Sequence, residues 1–120
     1  KGVFIGKILS VRERASVVEV FTDPDARTIA ARAKGGQVLG IIEGRGNGAA
    51  LLTYIPPSET LIKDDLIVTA GTEEKVPAGL AIGIINRVNG KPTDPFFTAA
   101  LEPLLGLDRI SLVSILRPRV

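Results

Sequence analysis

Carboxylates are the side chains in this sequence that come closest to a reactive cluster. Asp64-Asp65 sits between Glu59 and Glu73-Glu74, and carboxylates converging on one point can hold a cation or move a proton. If Asp65 begins a strand, Asp64 and Asp65 point to opposite faces and do not share a ligand. They read as turn and strand-edge residues. Gly44-Arg-Gly-Asn-Gly48 is the second pattern with chemical precedent, because a glycine-rich loop cradles phosphate when it follows a strand and opens a helix. Here the strand-like run Ala49–Ile55 follows, so the loop reads as a hairpin tip. Asp23-Pro-Asp-Ala-Arg27 joins acid and base and reads as a capped turn, its exposed ion pair worth at most ~1 kcal/mol. The sequence holds no His and no Cys. A Ser-His or Cys-His nucleophile pair therefore cannot be built, and the usual zinc sites lose their best ligands. These residues point away from an enzyme and away from any cofactor or metal. The rival reading is an enzyme's accessory β-barrel that holds a metal or small ligand through its carboxylates.

Contact residues are a different matter. Phe96 and Phe97 are adjacent beside Asp94-Pro95, and in a strand one of two adjacent rings faces outward. An exposed Phe marks a contact surface, whereas a lone one is common and needs no explanation. Tyr54, just before Pro56-Pro57, is a candidate of the same kind. Arg45 and Asn47, at the hairpin tip, complete the candidate partner interface. Lys and Arg number 15 against 13 Asp and Glu, for a net charge of +2. The signs are interleaved, as in Arg12-Glu13-Arg14 and Lys63-Asp-Asp65, rather than gathered into the one-signed stripe of a nucleic-acid footprint. No apolar run approaches the ~20 residues that span a bilayer. The chain opens at Lys1 directly into apolar sequence with no signal peptide, and reads as a piece of something longer.

The elements that must position these residues read as β throughout. Apolar content is 45%, supplied by Val, Ile, Leu and Ala, and branched aliphatics favour pleated surfaces. Strands are expected over Val3–Val11, Ser16–Thr22, Gln37–Glu43, Ala49–Ile55, Asp65–Ala70, Leu80–Val88, Phe96–Glu102 and Ile110–Leu116. Thr28–Lys34 has a helix start at Asp23-Pro24, a stop at Gly35-Gly36 and alanines that favour helix. It also reads as a strand, and its strand neighbours favour that choice. Asn89-Gly90-Lys91-Pro92 reads as a tight turn, since Asn-Gly supplies positive φ angles. Gly40, Gly44, Gly71, Pro77, Gly79 and Gly83 read as structural positions where the backbone turns or bends. About nine short strands with frequent turns and no major helix predict an all-β barrel or sandwich. Gly2-Val-Phe-Ile-Gly6-Lys-Ile-Leu-Ser-Val11 echoes Gly79-Leu-Ala-Ile-Gly83-Ile-Ile-Asn-Arg-Val88, both reading Gly-x-x-Ile-Gly-x-Ile-x-x-Val. Two equivalent strands of one small barrel, bent at their glycines, account for the echo.

Thr22-Asp-Pro-Asp-Ala-Arg27, Leu39-Gly-Ile-Ile-Glu-Gly44, Leu51-Leu-Thr-Tyr-Ile55, Asp65-Leu-Ile-Val-Thr-Ala-Gly71, Val76-Pro-Ala-Gly79 and Ile82-Gly83 occur in order, before Glu102-Pro and Leu107-Asp-Arg. This ordered set resembles the extracytoplasmic β domain of the rod shape-determining MreC family, over residues 2 to about 116. Asp64, Ala70 and Glu73-Glu74 depart from the Gly or smaller residues usual there. The resemblance implies two small packed or interleaved barrels of the six-stranded type within 1–120, one grouping 16–56 and the other 1–15 with 60–120. It implies a non-enzymatic scaffold that self-associates and binds MreD and the elongation transpeptidase, a penicillin-binding protein 2. Through them, and through the MreB/RodZ complex reached by regions absent here, such a scaffold couples the MreB cytoskeleton to peptidoglycan synthesis. It implies a place on the periplasmic or extracellular face of the bacterial cytoplasmic membrane, anchored by a segment absent here. Barrels of this family have been likened to chymotrypsin's; with no His, that triad is excluded here.

Overall fold

Alternating burial is the physical signature that organises this chain. The computed structural model describes residues 2–37, 39–73, 76–105, 113, 115 and 116. Among them are eight strands: β1 Gly6–Val11, β2 Ser16–Val20, β3 Ile29–Ala33, β4 Leu39–Gly46, β5 Ala49–Ile55, β6 Leu66–Thr69, β7 Ala81–Asn89 and β8 Phe97–Pro103. The fold is all-β. Six strands close a barrel in the order β3-β4-β5-β8-β7-β6, and β1 and β2 form a separate two-stranded sheet. Every neighbouring pair is antiparallel. The barrel draws on both groupings expected from the sequence, taking β3–β5 from one and β6–β8 from the other. The expected strand 110–116 lies outside the described residues, apart from Val113, Ile115 and Leu116, which are exposed.

Residues 28–34 hold a strand, not a helix, because their pattern has a period of two. Ile29, Ala31 and Ala33 are buried while Ala30 and Arg32 between them are half-buried. β3 is hydrogen-bonded to β4 on one side and β6 on the other, so tertiary pairing overrides the helix preference of alanine. The small residues have a use here. A six-stranded barrel has a narrow interior, and Ala31, Ala50 and Ala99 fit beside Ile42, Leu52, Ile67, Ile82 and Ile85. Phe4 and Phe21, with ring centroids 6.0 Å apart, join the core from the β1–β2 side.

The sequence echo is real, but its two copies sit in different sheets rather than in one barrel. Gly6 pairs with Val20, Lys7 with Glu19 and Ile8 with Val18, after which a bulge intervenes before Ser10 pairs with Val17. Gly83 pairs with Pro103, Ile84 with Glu102 and Ile85 with Leu101, and a bulge intervenes before Arg87 pairs with Ala100. The β1–β2 hairpin thus repeats β7–β8 pair for pair, bulge included. Gly6 and Gly83 are required for the same reason in each: a Cβ would collide with the carbonyl oxygen of Glu19 or Glu102 across the ladder. The two copies touch in parallel, with Val3 bridging Ala81 and Phe4 N donating to Ala81 O at 2.7 Å. One difference matters. Ile85 and Leu101 are 0% and 5% exposed in the barrel, whereas their counterparts Ile8 and Val18 are 39% and 43% exposed.

The two Asn-Gly pairs behave differently. Asn47 (φ 53) and Gly48 (φ 75) form the two-residue turn joining β4 to β5, as expected of a primed hairpin turn. Asn89-Gly90 makes no such turn, contrary to expectation. Asn89 still pairs with Thr98 as the last residue of β7, and the chain turns later. Asp94 N donates to Lys91 O (2.9 Å) and Lys91 N to Asp94 Oδ2 (2.8 Å), with Pro92 preset for the second position of the turn.

Candidate functional site

The most unusual backbone on the barrel surface occurs where β5 breaks register against β8. Leu52 pairs with Ala99 and Ile55 with Phe97, so Thr53 and Tyr54 together oppose Thr98 alone. This is a bulge, and bulges re-aim side chains. Thr53 is 6% exposed, its Oγ1 lying 3.1 Å from Ile41 O and 3.2 Å from Glu43 Oε2. Tyr54 takes the left-handed conformation, φ 60, uncommon for a bulky residue. Its ring stands outside the barrel and meets Phe96 edge-on, with centroids 5.5 Å apart and planes at 73°. Tyr54 and Phe96 are 54% and 49% exposed.

Phe97 behaves oppositely. It begins β8, is half-buried and packs against the core. Gly90 makes its place: a Cβ there would collide with the Phe97 ring. Sequence reasoning therefore found the aromatic pair but did not distinguish its members, and the outward partner of Phe96 comes from β5. Arg45 and Asn47 are exposed at the β4–β5 tip, about 16 Å from Tyr54 along β5 at the usual rise per residue. The structure does not bring the two groups together. Arg45 approaches Glu43 at 3.8 Å, a surface pair of little energetic weight. Gly46 N donates to Thr22 O at 2.8 Å, and a Cβ on Gly44 would strike the backbone of Thr22 and Asp23. The tip is thus seated on the segment after β2.

The carboxylates are dispersed. Asp64 adopts φ 73, the conformation that glycine takes most readily; Asp is a tolerated substitute. Its N–H donates to Ile85 O at 2.7 Å, while Asp65 Oδ2 accepts from Ile62 N at 3.0 Å. Glu73 Oε2 accepts from Ala30 N at 2.9 Å, tying the loop after β6 to β3. Glu74 lies outside the described residues. Among the described residues, no three Asp or Glu side chains are grouped to hold a metal ion.

Sequence reasoning missed Thr69, whose only mark is one hydroxyl closing the run Leu66-Ile-Val-Thr69. It is 0% exposed. Its Oγ1 donates to Pro77 O at 2.6 Å and accepts from Leu80 N at 3.0 Å, and its carbonyl accepts from Gly79 N at 2.9 Å. Gly71 at φ 80 and Gly79 at φ 85 complete the loop, and Gly71 packs against Ala78. Gly40 is buried in β4, pairing with Ala31.

The fold and surface define the class as a small closed all-β barrel module, with an exposed aromatic pair at one end and, among the described residues, dispersed carboxylates. The family model for rod shape-determining protein MreC, barrel core, matches residues 1–117, and the chain belongs to that family. It is 32% identical over 119 residues to the cell shape-determining protein MreC of Haemophilus influenzae, covering 98% of this chain and 33% of that relative. A solved MreC structure has the same fold, at a TM-score of 0.83 and 22% identity over 91% of this chain and 62% of the other. So does a chain in the complex between penicillin-binding protein PBP2 and MreC from Helicobacter pylori, at a TM-score of 0.68, 18% identity, and 90% and 74% coverage. This chain therefore spans about a third of the length of the Haemophilus relative.

Proposed function

We propose that this chain is the extracytoplasmic barrel region of a cell-shape scaffold, that it catalyses no reaction, and that it acts by binding the extracytoplasmic part of a penicillin-binding protein 2-type transpeptidase. The observation that carries this reading is the match of the MreC barrel core along residues 1–117. The Helicobacter complex, on the same fold, supplies the class of partner. Self-association, MreD, and the MreB/RodZ complex reached through segments outside this chain are further partners of the whole protein, which is held at the outer face of the cytoplasmic membrane. The aromatic end of the barrel is the primary contact, and Arg45 and Asn47 at the far tip offer a second. The β1–β2 hairpin is part of a second barrel that other sequence completes. Its pair-for-pair likeness to β7–β8 supports this, because the faces corresponding to buried Ile85 and Leu101 stand open.

The test is direct titration of this chain against the extracytoplasmic part of the transpeptidase. Saturable binding is expected. Its absence at high micromolar concentration refutes the reading.

A further inference from the structure

We infer that Tyr54 is a strained anchor: the β5 bulge holds its backbone left-handed so that its ring, braced by Phe96, forms the contact point for the transpeptidase. The inference rests on the partner named above and assigns it a surface. A left-handed conformation at a bulky residue costs free energy and persists where the surroundings impose it, most often at functional sites. The barrel gains little from this ring, which is half in solvent. Asn or Gly would take the same backbone with less strain. What the bulge achieves is aim: between the core residues Leu52 and Ile55, Thr53 is covered on the outer face by Ile41 O and Glu43 Oε2, and the extra residue Tyr54 is turned out to meet Phe96. The edge-on contact restrains both rings before any partner arrives, which lowers the ordering cost of binding. Tyrosine is also among the residues that dominate interface energies.

The chemistry of the platform selects its occupant. Neither ring is charged, and Pro56 and Pro95 flank the pair in sequence. The nearby carboxylate of Asp94 already accepts from Lys91 N in its own turn. The occupant is therefore an apolar patch of a folded partner, and a transpeptidase complex is known on this fold. The β1–β2 hairpin exposes more apolar surface, but its likeness to β7–β8 marks that face as the interior of a barrel rather than a docking surface.

The experiment titrates the transpeptidase's extracytoplasmic part against the unaltered chain and against Tyr54→Gly, Tyr54→Asn, Tyr54→Ala, Tyr54→Phe and Phe96→Ala, with a melting curve for each. Loss of the ring is expected to raise Kd by about tenfold or more, Tyr54→Phe to change it little, and added salt to matter little. Tyr54→Gly and Tyr54→Asn are expected to melt above Tyr54→Ala, the reverse of the usual order in a strand. A Tyr54→Gly chain that binds as well as the unaltered one overturns the anchor, and Tyr54→Ala melting highest of the three overturns the strain. If the unaltered chain does not bind, the transpeptidase reading falls instead, while the melting order still decides the strain.

Discussion

Replacing Thr69 with Val tests whether one hydroxyl organises the connection between β6 and β7. The two side chains are nearly the same size, so no cavity opens, and only the polar contacts change. Oγ1 donates to Pro77 O at 2.6 Å and accepts from Leu80 N at 3.0 Å, and Thr69 is 0% exposed. Each hydrogen bond contributes about 1 kcal/mol net, and leaving its partner without water costs somewhat more. Pro77 is exposed and Leu80 half-buried, so solvent reaches part of the loss, giving about 2–3 kcal/mol for the pair. That is a large share of the ~6–18 kcal/mol expected for a domain of this size. Thr69→Ser is the control: it keeps the hydroxyl and removes one methyl, for about 1 kcal/mol. Urea unfolding should show a lower midpoint for Val than for Ser at an unchanged slope, since the surface exposed on unfolding stays the same. Equal midpoints, or Val above Ser, would refute the assignment of the loop's shape to this hydroxyl.

The remaining expectations concern the repeated hairpin and the two phenylalanines. Gly83→Ala should destabilise the barrel by about 2 kcal/mol or more, because the new methyl meets backbone rather than a side chain that can move. Gly6→Ala meets the same obstacle, but should release only the β1–β2 hairpin, read as lost amide protection there with the barrel's amides intact; equal damage to both sheets argues against their independence. Phe97→Ala should cost about 2–3 kcal/mol for a half-buried core ring, and Phe96→Ala less than about 1 kcal/mol, measured as urea midpoints. The opposite ranking would reverse the inward and outward assignments.

Much of this protein is legible in its sequence because the signals are local. Period-two apolar runs place β5 at Ala49–Ile55 with no error and β7 and β8 to within a residue. The lack of His and Cys excludes Ser-His and Cys-His nucleophile pairs within these 120 residues before any fold is known. Asn47-Gly48 has the geometry its residue types demand. Other features depend on what the chain meets. Asn89-Gly90 has the same two residues and a different fate, because β7 continues its ladder with β8 through Asn89 and the turn forms at Pro92. Thr28–Lys34 balances helix against strand until β4 and β6 bind it from both sides. Of two adjacent phenylalanines, the register of β8 puts Phe97 on the side of buried Ala99 and Leu101, and the space beside Gly90 admits its ring.

Local spacing and composition thus determined the β class, most strand positions, the exclusion of His- and Cys-based chemistry and the family resemblance. Tertiary structure alone decided that the echoed segments occupy two sheets, that Thr69 is a buried organiser, and that Tyr54 meets Phe96. The physical reason is that strand pairing and close backbone approach join residues far apart in the chain, which a period of two cannot encode. A bulge, moreover, depends on the partner strand's register, which neither strand specifies by itself.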